Sequence, residues 1–206
     1  MRVAVILRIV SGRIRPGRLA SVSDAYTTRY NDVAMDTAGL DRFLVATRPV
    51  DEGHELASMT LWRTVEAALA VYQGNLSAMR TLDDREHGEE LTHVDYYEVD
   101  DGVLRHQGVE SAFLRLTAGT VARGLDADIQ QELRRRLVDL PADVAEAYVG
   151  RRVLKDLVEI AFVSTWSPGT ERPPLKDPIW PDISSRYDAF RIAVFDVLLS
   201  GTPARV

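Results

Sequence analysis

Two arginines, two tryptophans and one histidine stand out as residues whose types and spacing could do chemistry. Arg8 lies in Ile6-Leu7-Arg8-Ile9-Val10-Ser11-Gly12 and Arg115 in Phe113-Leu114-Arg115-Leu116-Thr117-Ala118-Gly119, the same place in one short pattern. Trp62 ends Glu55-Leu56-Ala57-Ser58-Met59-Thr60-Leu61-Trp62, and Trp166 ends Glu159-Ile160-Ala161-Phe162-Val163-Ser164-Thr165-Trp166, with Glu, Ala and Trp in register. A guanidinium can grip a substrate carboxylate or phenolate through a planar fork of donors, and an indole can stack on an aromatic ring. In a dry cavity such cations could stabilise a substrate carbanion or phenolate long enough for it to meet dioxygen. His93 could add a general base. His54, His87, His93 and His106 all precede residue 107, so a ligating histidine further along the chain is ruled out.

The same residues have a structural reading. A tryptophan that ends a strand can be a packing anchor, and paired arginines can bridge to Glu55, Glu159 or Glu98 and fix how two halves dock. A buried cation needs partners under either reading. Arg13, Arg15 and Arg18 around Gly12 and Gly17 form neither a P-loop nor a GxGxxG fingerprint and read as a basic turn. Arg134-Arg135-Arg136 falls on the polar side of a helix and reads as solvated.

The elements that must position these groups repeat. A third match, Tyr97-Glu98-Val99 with Phe195-Asp196-Val197, follows the other two in the same order, which points to a tandem duplication. Its halves are 1–105 and 106–206. In the first, Val3–Val10 is a β-branched run with a turn at Gly12. Leu19, Val22, Tyr26, Tyr30 and Val33 recur at helical spacing. Phe43–Thr47 and Glu55–Trp62 read as strands joined at Asp51-Glu52-Gly53. Thr64 caps a helix bearing Val65, Leu69 and Tyr72, and Val94–Val99 closes the half after a polar stretch at Asp83–Glu90. The second half has strands at Phe113–Thr117, Tyr148–Val153, Val158–Trp166 and Ile192–Leu198. Its first helix carries Ile129, Leu133, Leu137 and Leu140 up to Pro141, and a short one is delayed to Ile183–Tyr187 by the prolines of Ser167–Pro181.

This order, β-α-β-β-α-β, is the ferredoxin-like motif, an α+β fold whose sheet has helices on one face. Its bare apolar face needs a cover, and a duplicated chain supplies one, closing sheet to sheet into an α/β barrel with a cavity at the seam. Strand alternation then assigns the faces. Val3, Val5, Leu7, Ile9, Ala57, Met59 and Leu61 are expected under the helices. Ile6, Arg8, Ser58, Thr60, Trp62 and their copies Phe113, Arg115, Thr117, Phe162, Ser164 and Trp166 are expected to face the seam.

The segment Phe43–Leu76, a strand hairpin ending in Leu61-Trp62 that runs into Thr64-Val65-Glu66-Ala67-Ala68, resembles the dimeric α/β-barrel superfamily, and within it the antibiotic-biosynthesis-monooxygenase-like proteins. Val158–Trp166 and Asp95-Tyr96-Tyr97-Glu98-Val99 carry the same likeness. The resemblance implies one of several activities: cofactor-independent oxygenation of aromatic polyketides, isomerisation, haem degradation or haem binding. The haem-degrading pattern of a helix histidine with a strand asparagine is not evident, Asn31 lying in the first helix.

At 206 residues and 46% hydrophobic the chain can bury one large core or two small ones. Without cysteine it has no disulfides, thiolate metal site or thiol nucleophile. A net charge of −6 argues against a nucleic-acid groove. Apolar runs such as Val3–Leu7 and Val194–Leu199 are too short to span a membrane, and no signal peptide is expected, so the expected place is the cytoplasm. Two functional readings follow. One is a cofactor-independent oxygenase or isomerase of a small aromatic or carbonyl compound, with Arg8, Arg115, Trp62 and Trp166 binding substrate, His93 as catalytic base, and neither metal nor cofactor. The other is a non-catalytic barrel that binds a small ligand or assembles, with further pairing of the internal pseudo-dimer into a homodimer left open.

Overall fold

The computed structural model of the protein describes residues 5–77, 89–104, 110–173, 175 and 186–203. Its strands are β1 (Val5–Ile14), β2 (Leu40–Val50), β3 (Gly53–Trp62), β4 (Glu89–Leu104), β5 (Phe113–Ala122), β6 (Val144–Leu154), β7 (Leu157–Trp166) and β8 (Ala189–Gly201). Hydrogen bonding orders them β1-β3-β2-β8-β5-β7-β6-β4 in a closed antiparallel barrel, the α+β architecture expected of two ferredoxin-like halves. The chain forms two compact units, Met1–Tyr96 with Phe195–Val206, and Tyr97–Val194. Among the described residues no helix is long and apolar enough to cross a membrane.

In the first unit β3 lies between β1 and β2, registered from Ile6↔Trp62 to Ile14↔His54 on one side and from Leu40↔Trp62 to Val50↔Gly53 on the other. Phe195–Gly201 of β8 extends this sheet along β2, from Thr47↔Asp196 to Phe43↔Gly201. β1 runs through Gly12, and the chain turns instead at Pro16-Gly17, where Gly17 has φ +75°. Gly53 opens β3 at φ +106°, and a Cβ there would lie 2.4 Å from the Ile14 carbonyl oxygen, so this hairpin needs glycine. The single helix expected over Leu19–Val33 is three pieces: α1 (Leu19–Ala25), a π segment (Tyr26–Tyr30) and α2 (Asn31–Met35). Thr64 caps α3 (Val65–Val71) as expected, its hydroxyl accepting the Ala67 N–H at 3.1 Å.

The assignment of strand faces is corrected by the structure. Ile6, Phe43 and Trp62 pack with Ala34, Ala68 and Tyr72 beneath α2 and α3, and Ile14, Val45 and Leu56 pack with Val22 and Tyr26 beneath α1 and the π segment. Arg8, Ser58, Thr60 and Trp62 therefore face the helices. Leu7, Ala57 and Met59 lie on the other face, where they are fully buried. Both faces of this sheet are dry, so greater apolarity does not mark the helical side. The face that holds polar groups is the one with room for them.

The second unit repeats the arrangement. β7 lies between β5 and β6, from Phe113↔Trp166 and from Val144↔Trp166, and β4 extends the sheet along β6 from Glu98↔Arg151. α4 (Asp126–Arg136) has Asp126 and Asp128 in its first turn and Arg134–Arg136 in its last, each charge suited to the helix dipole. Its Ile129 and Leu133 belong to one buried cluster with Leu137, Val144, Ile160 and Phe162. Glu159 accepts from Tyr97 Oη at 3.0 Å and from Arg152 and Arg191, while in the first unit Glu55 accepts from Arg48 Nε at 2.6 Å. The short helix expected at Ile183–Tyr187 lies outside the described residues up to 185, as do residues 83–88 of the polar stretch.

Candidate functional site

A pocket of about 420 Å³ lies between the sheet of the first unit and its helical segments. Arg8 and Val10 of β1 and Ser58, Thr60 and Trp62 of β3 form its floor. Tyr26 and Tyr30 stand at the two ends of the π segment, Ala34 and Val33 come from α2, and Tyr72 follows α3. The size and composition, largely apolar with a few convergent polar groups, are those of a small-molecule site.

The geometry of the polar groups is set by neighbouring side chains. The Arg8 guanidinium carbon lies 4.0 Å from the centre of the Tyr72 ring, and its Nε donates to the Leu76 carbonyl at 3.0 Å. Arg8 is only 5% exposed, and burial holds its guanidinium below the usual arginine range, partly offset by Tyr72 and Tyr30. The Trp62 indole N–H donates to Thr60 Oγ1 at 3.0 Å, which fixes the ring on the floor. Trp62 and Tyr72 meet edge to face at 5.6 Å, Tyr26 and Tyr30 at 5.3 Å, and Tyr30 and Phe43 at 5.9 Å, favoured geometries for aromatic pairs. The Tyr30 hydroxyl lies 3.5 Å from Ser58 Oγ, and burial pushes its pKa up to about 12, so it remains a phenol and a hydrogen-bond donor at neutral pH.

Of the residues singled out in the sequence, the pocket brings together Arg8 and Trp62. Arg115 and Trp166 belong to the second unit, where Arg115 is buried opposite Ser164 and the Trp166 indole donates to Ser164 Oγ at 3.2 Å. The described lining of this pocket lies in the first unit, where Arg8 and Trp62 face the helices and not the opposite sheet face on which they were expected. His93, on β4, is 53% exposed with Nε2 2.7 Å from Asp95 Oδ1, and it is not part of the lining. Among the described residues the lining contains no imidazole and no carboxylate. Among the described residues no group of three acidic or histidine side chains could hold a metal ion.

Ser58 and Thr60 were expected to face a cavity, whereas Tyr26, Tyr30 and Tyr72 are lining residues that sequence reasoning placed only on helix stripes. Their signal was present: three tyrosines on stripes otherwise filled by Leu and Val place hydroxyls on faces that are meant to be dry.

The chain matches no protein-family profile and no curated protein in sequence. Its fold does have solved counterparts. A candidate monooxygenase from Fusobacterium nucleatum subsp. nucleatum superposes with a TM-score of 0.71 at 12% identity, covering 98% of this chain and 96% of that one. An anthrone oxidase-like protein superposes at 0.63 with 14% identity over 98% and 95%. A ferredoxin-fold protein of Listeria monocytogenes, described as related to antibiotic biosynthesis monooxygenases, superposes at 0.51 with 7% identity over 94% of each chain. The chain shares its eight-stranded α+β fold with these proteins.

Proposed function

We propose that the first unit's pocket binds a small aromatic compound carrying an acidic phenol or enol, and that the protein oxygenates it without a cofactor of its own. The observation that carries this reading is Arg8, a buried cation on the floor of an aromatic-walled pocket. The guanidinium stabilises the substrate's oxyanion, the Tyr30 hydroxyl donates to a second oxygen, and Trp62 and Tyr72 supply ring edges and faces. The described lining offers no carboxylate or imidazole, so this reading takes a substrate acidic enough to ionise against Arg8. The resulting carbanion transfers electrons to dioxygen. A ring methylene then becomes a carbonyl, with one oxygen atom retained and the other leaving as water.

Anthrones have this chemistry, and one protein of the same fold is anthrone oxidase-like. The test is dioxygen uptake and quinone formation from a hydroxylated anthrone, by wild type and by Arg8→Met. We expect catalysed uptake well above the spontaneous rate, reduced at least tenfold in the variant. Binding without uptake would favour the second reading, a ligand-binding barrel that does not turn over. A Soret band in the purified protein would overturn both in favour of haem.

A further inference from the structure

Ser58 and Phe162 occupy the same place in the two units. Each stands four residues before the tryptophan that ends its strand, with Ser58 opposite Val10 and Val45, and Phe162 opposite Thr117 and Val149. Around them the units are alike: Thr60 and Ser164 each receive a tryptophan N–H. The difference is one of volume. Ser58 leaves the pocket floor open and puts only a hydroxyl beneath Tyr30. Phe162 is 3% exposed and belongs to one packed cluster with Ile129 and Leu133 of α4. Tyr187 covers that cluster further along β5, where its ring would lie 2.3 Å from a Cβ at Gly119.

We propose that residue 58 is the size-determining position of the ligand site: serine there opens the cavity and sets how long a ring system it admits, whereas the phenylalanine at the matching position closes the second unit. The chain then carries one ligand. This inference rests on the reading of the pocket as a ligand site. It goes beyond that reading in assigning selectivity to a residue that makes no charged contact.

The experiment uses the full chain and two fluorescent anionic probes that differ by one ring, 2-naphthoate and anthracene-2-carboxylate. Wild type and Ser58→Ala are expected to bind both at one equivalent per chain. Ser58→Leu keeps the two-ring probe and loses the three-ring probe roughly tenfold or more, and Ser58→Phe loses both. Ser58→Val is a smaller step in the same direction, and thermal melting followed by circular dichroism confirms that each variant is folded. Equal affinity of folded Ser58→Leu and Ser58→Phe for both probes overturns the proposal while leaving the pocket as a ligand site. Two equivalents bound by wild type overturns the closure of the second unit. If wild type binds neither probe, the ligand-site reading fails and takes this inference with it.

Discussion

Thr60 receives the indole N–H of Trp62, and Ser164 does the same for Trp166, so each tryptophan is held by the hydroxyl two residues before it on the same strand face. Trp62 is 1% exposed, and an indole N–H left without its acceptor there costs about 1–3 kcal/mol. Thr60→Val should therefore lower unfolding free energy by about that amount, and Thr60→Ser should keep most of it, measured by urea titration. The Tyr30 phenol gives a pH signature with a definite sign. Its folded pKa, about 12, is above the ordinary value of 10, so its share of stability is complete below pH 10. As pH rises past 10 the unfolded chain loses this proton first. Stability then falls by up to about 1.4 kcal/mol per unit until the folded phenol also ionises. Burial raises Tyr187 in the same direction, so Tyr30→Phe should flatten part of the alkaline slope and leave the rest. Urea titrations at pH 9 and 11 measure it, and an unchanged slope in the variant would count against a buried Tyr30 hydroxyl.

At the scale of elements, the strands, the Asp51-Glu52-Gly53 hairpin and the Thr64 cap were all legible, because alternation, turn residues and caps are local signals. The faces were not. Leu7 and Met59 are as buried as Ile6 and Trp62, and only three-dimensional room separates the two sides. The π segment was equally hidden, since Leu19, Val22, Tyr26, Tyr30 and Val33 fit an α-helix on average. A π turn widens the helix locally, and here it places Tyr26 and Tyr30 at its two ends, both in the pocket wall. Thr27 and Thr28 support it by donating to the Ser23 and Asp24 carbonyls at 2.9 and 2.7 Å. Deleting Thr28 should restore regular α-helical bonding and turn every later residue by about 100°. Tyr30 then leaves the wall. We expect helicity by circular dichroism to be kept and 2-naphthoate affinity to fall at least tenfold, whereas Thr28→Ala, which keeps the residue count, should bind nearly as wild type.

At the scale of the molecule, the expected halves 1–105 and 106–206 follow chain order, while the compact units take Phe195–Val206 into the first. The reason lies in β2. Its Phe43, Leu44 and Val45 are fully buried and pair with β8 at Gly201, Ser200 and Leu199. Gly201 lets the Phe43 ring approach, to within 2.4 Å of where a Cβ would stand. A fragment of residues 1–105 would expose this apolar edge, a template for pairing with other chains. On this pairing the two halves of the chain should not be separable at residue 105. We expect fragment 1–105 to be oligomeric in light scattering and to bind 2-naphthoate poorly. The same fragment with residues 186–206 appended through a flexible linker should be monomeric and should recover binding, because β8 again covers β2. A monomeric fragment 1–105 with wild-type affinity would show that β8 is dispensable to the pocket, and that the unit holding Arg8 and Trp62 is complete before the second begins.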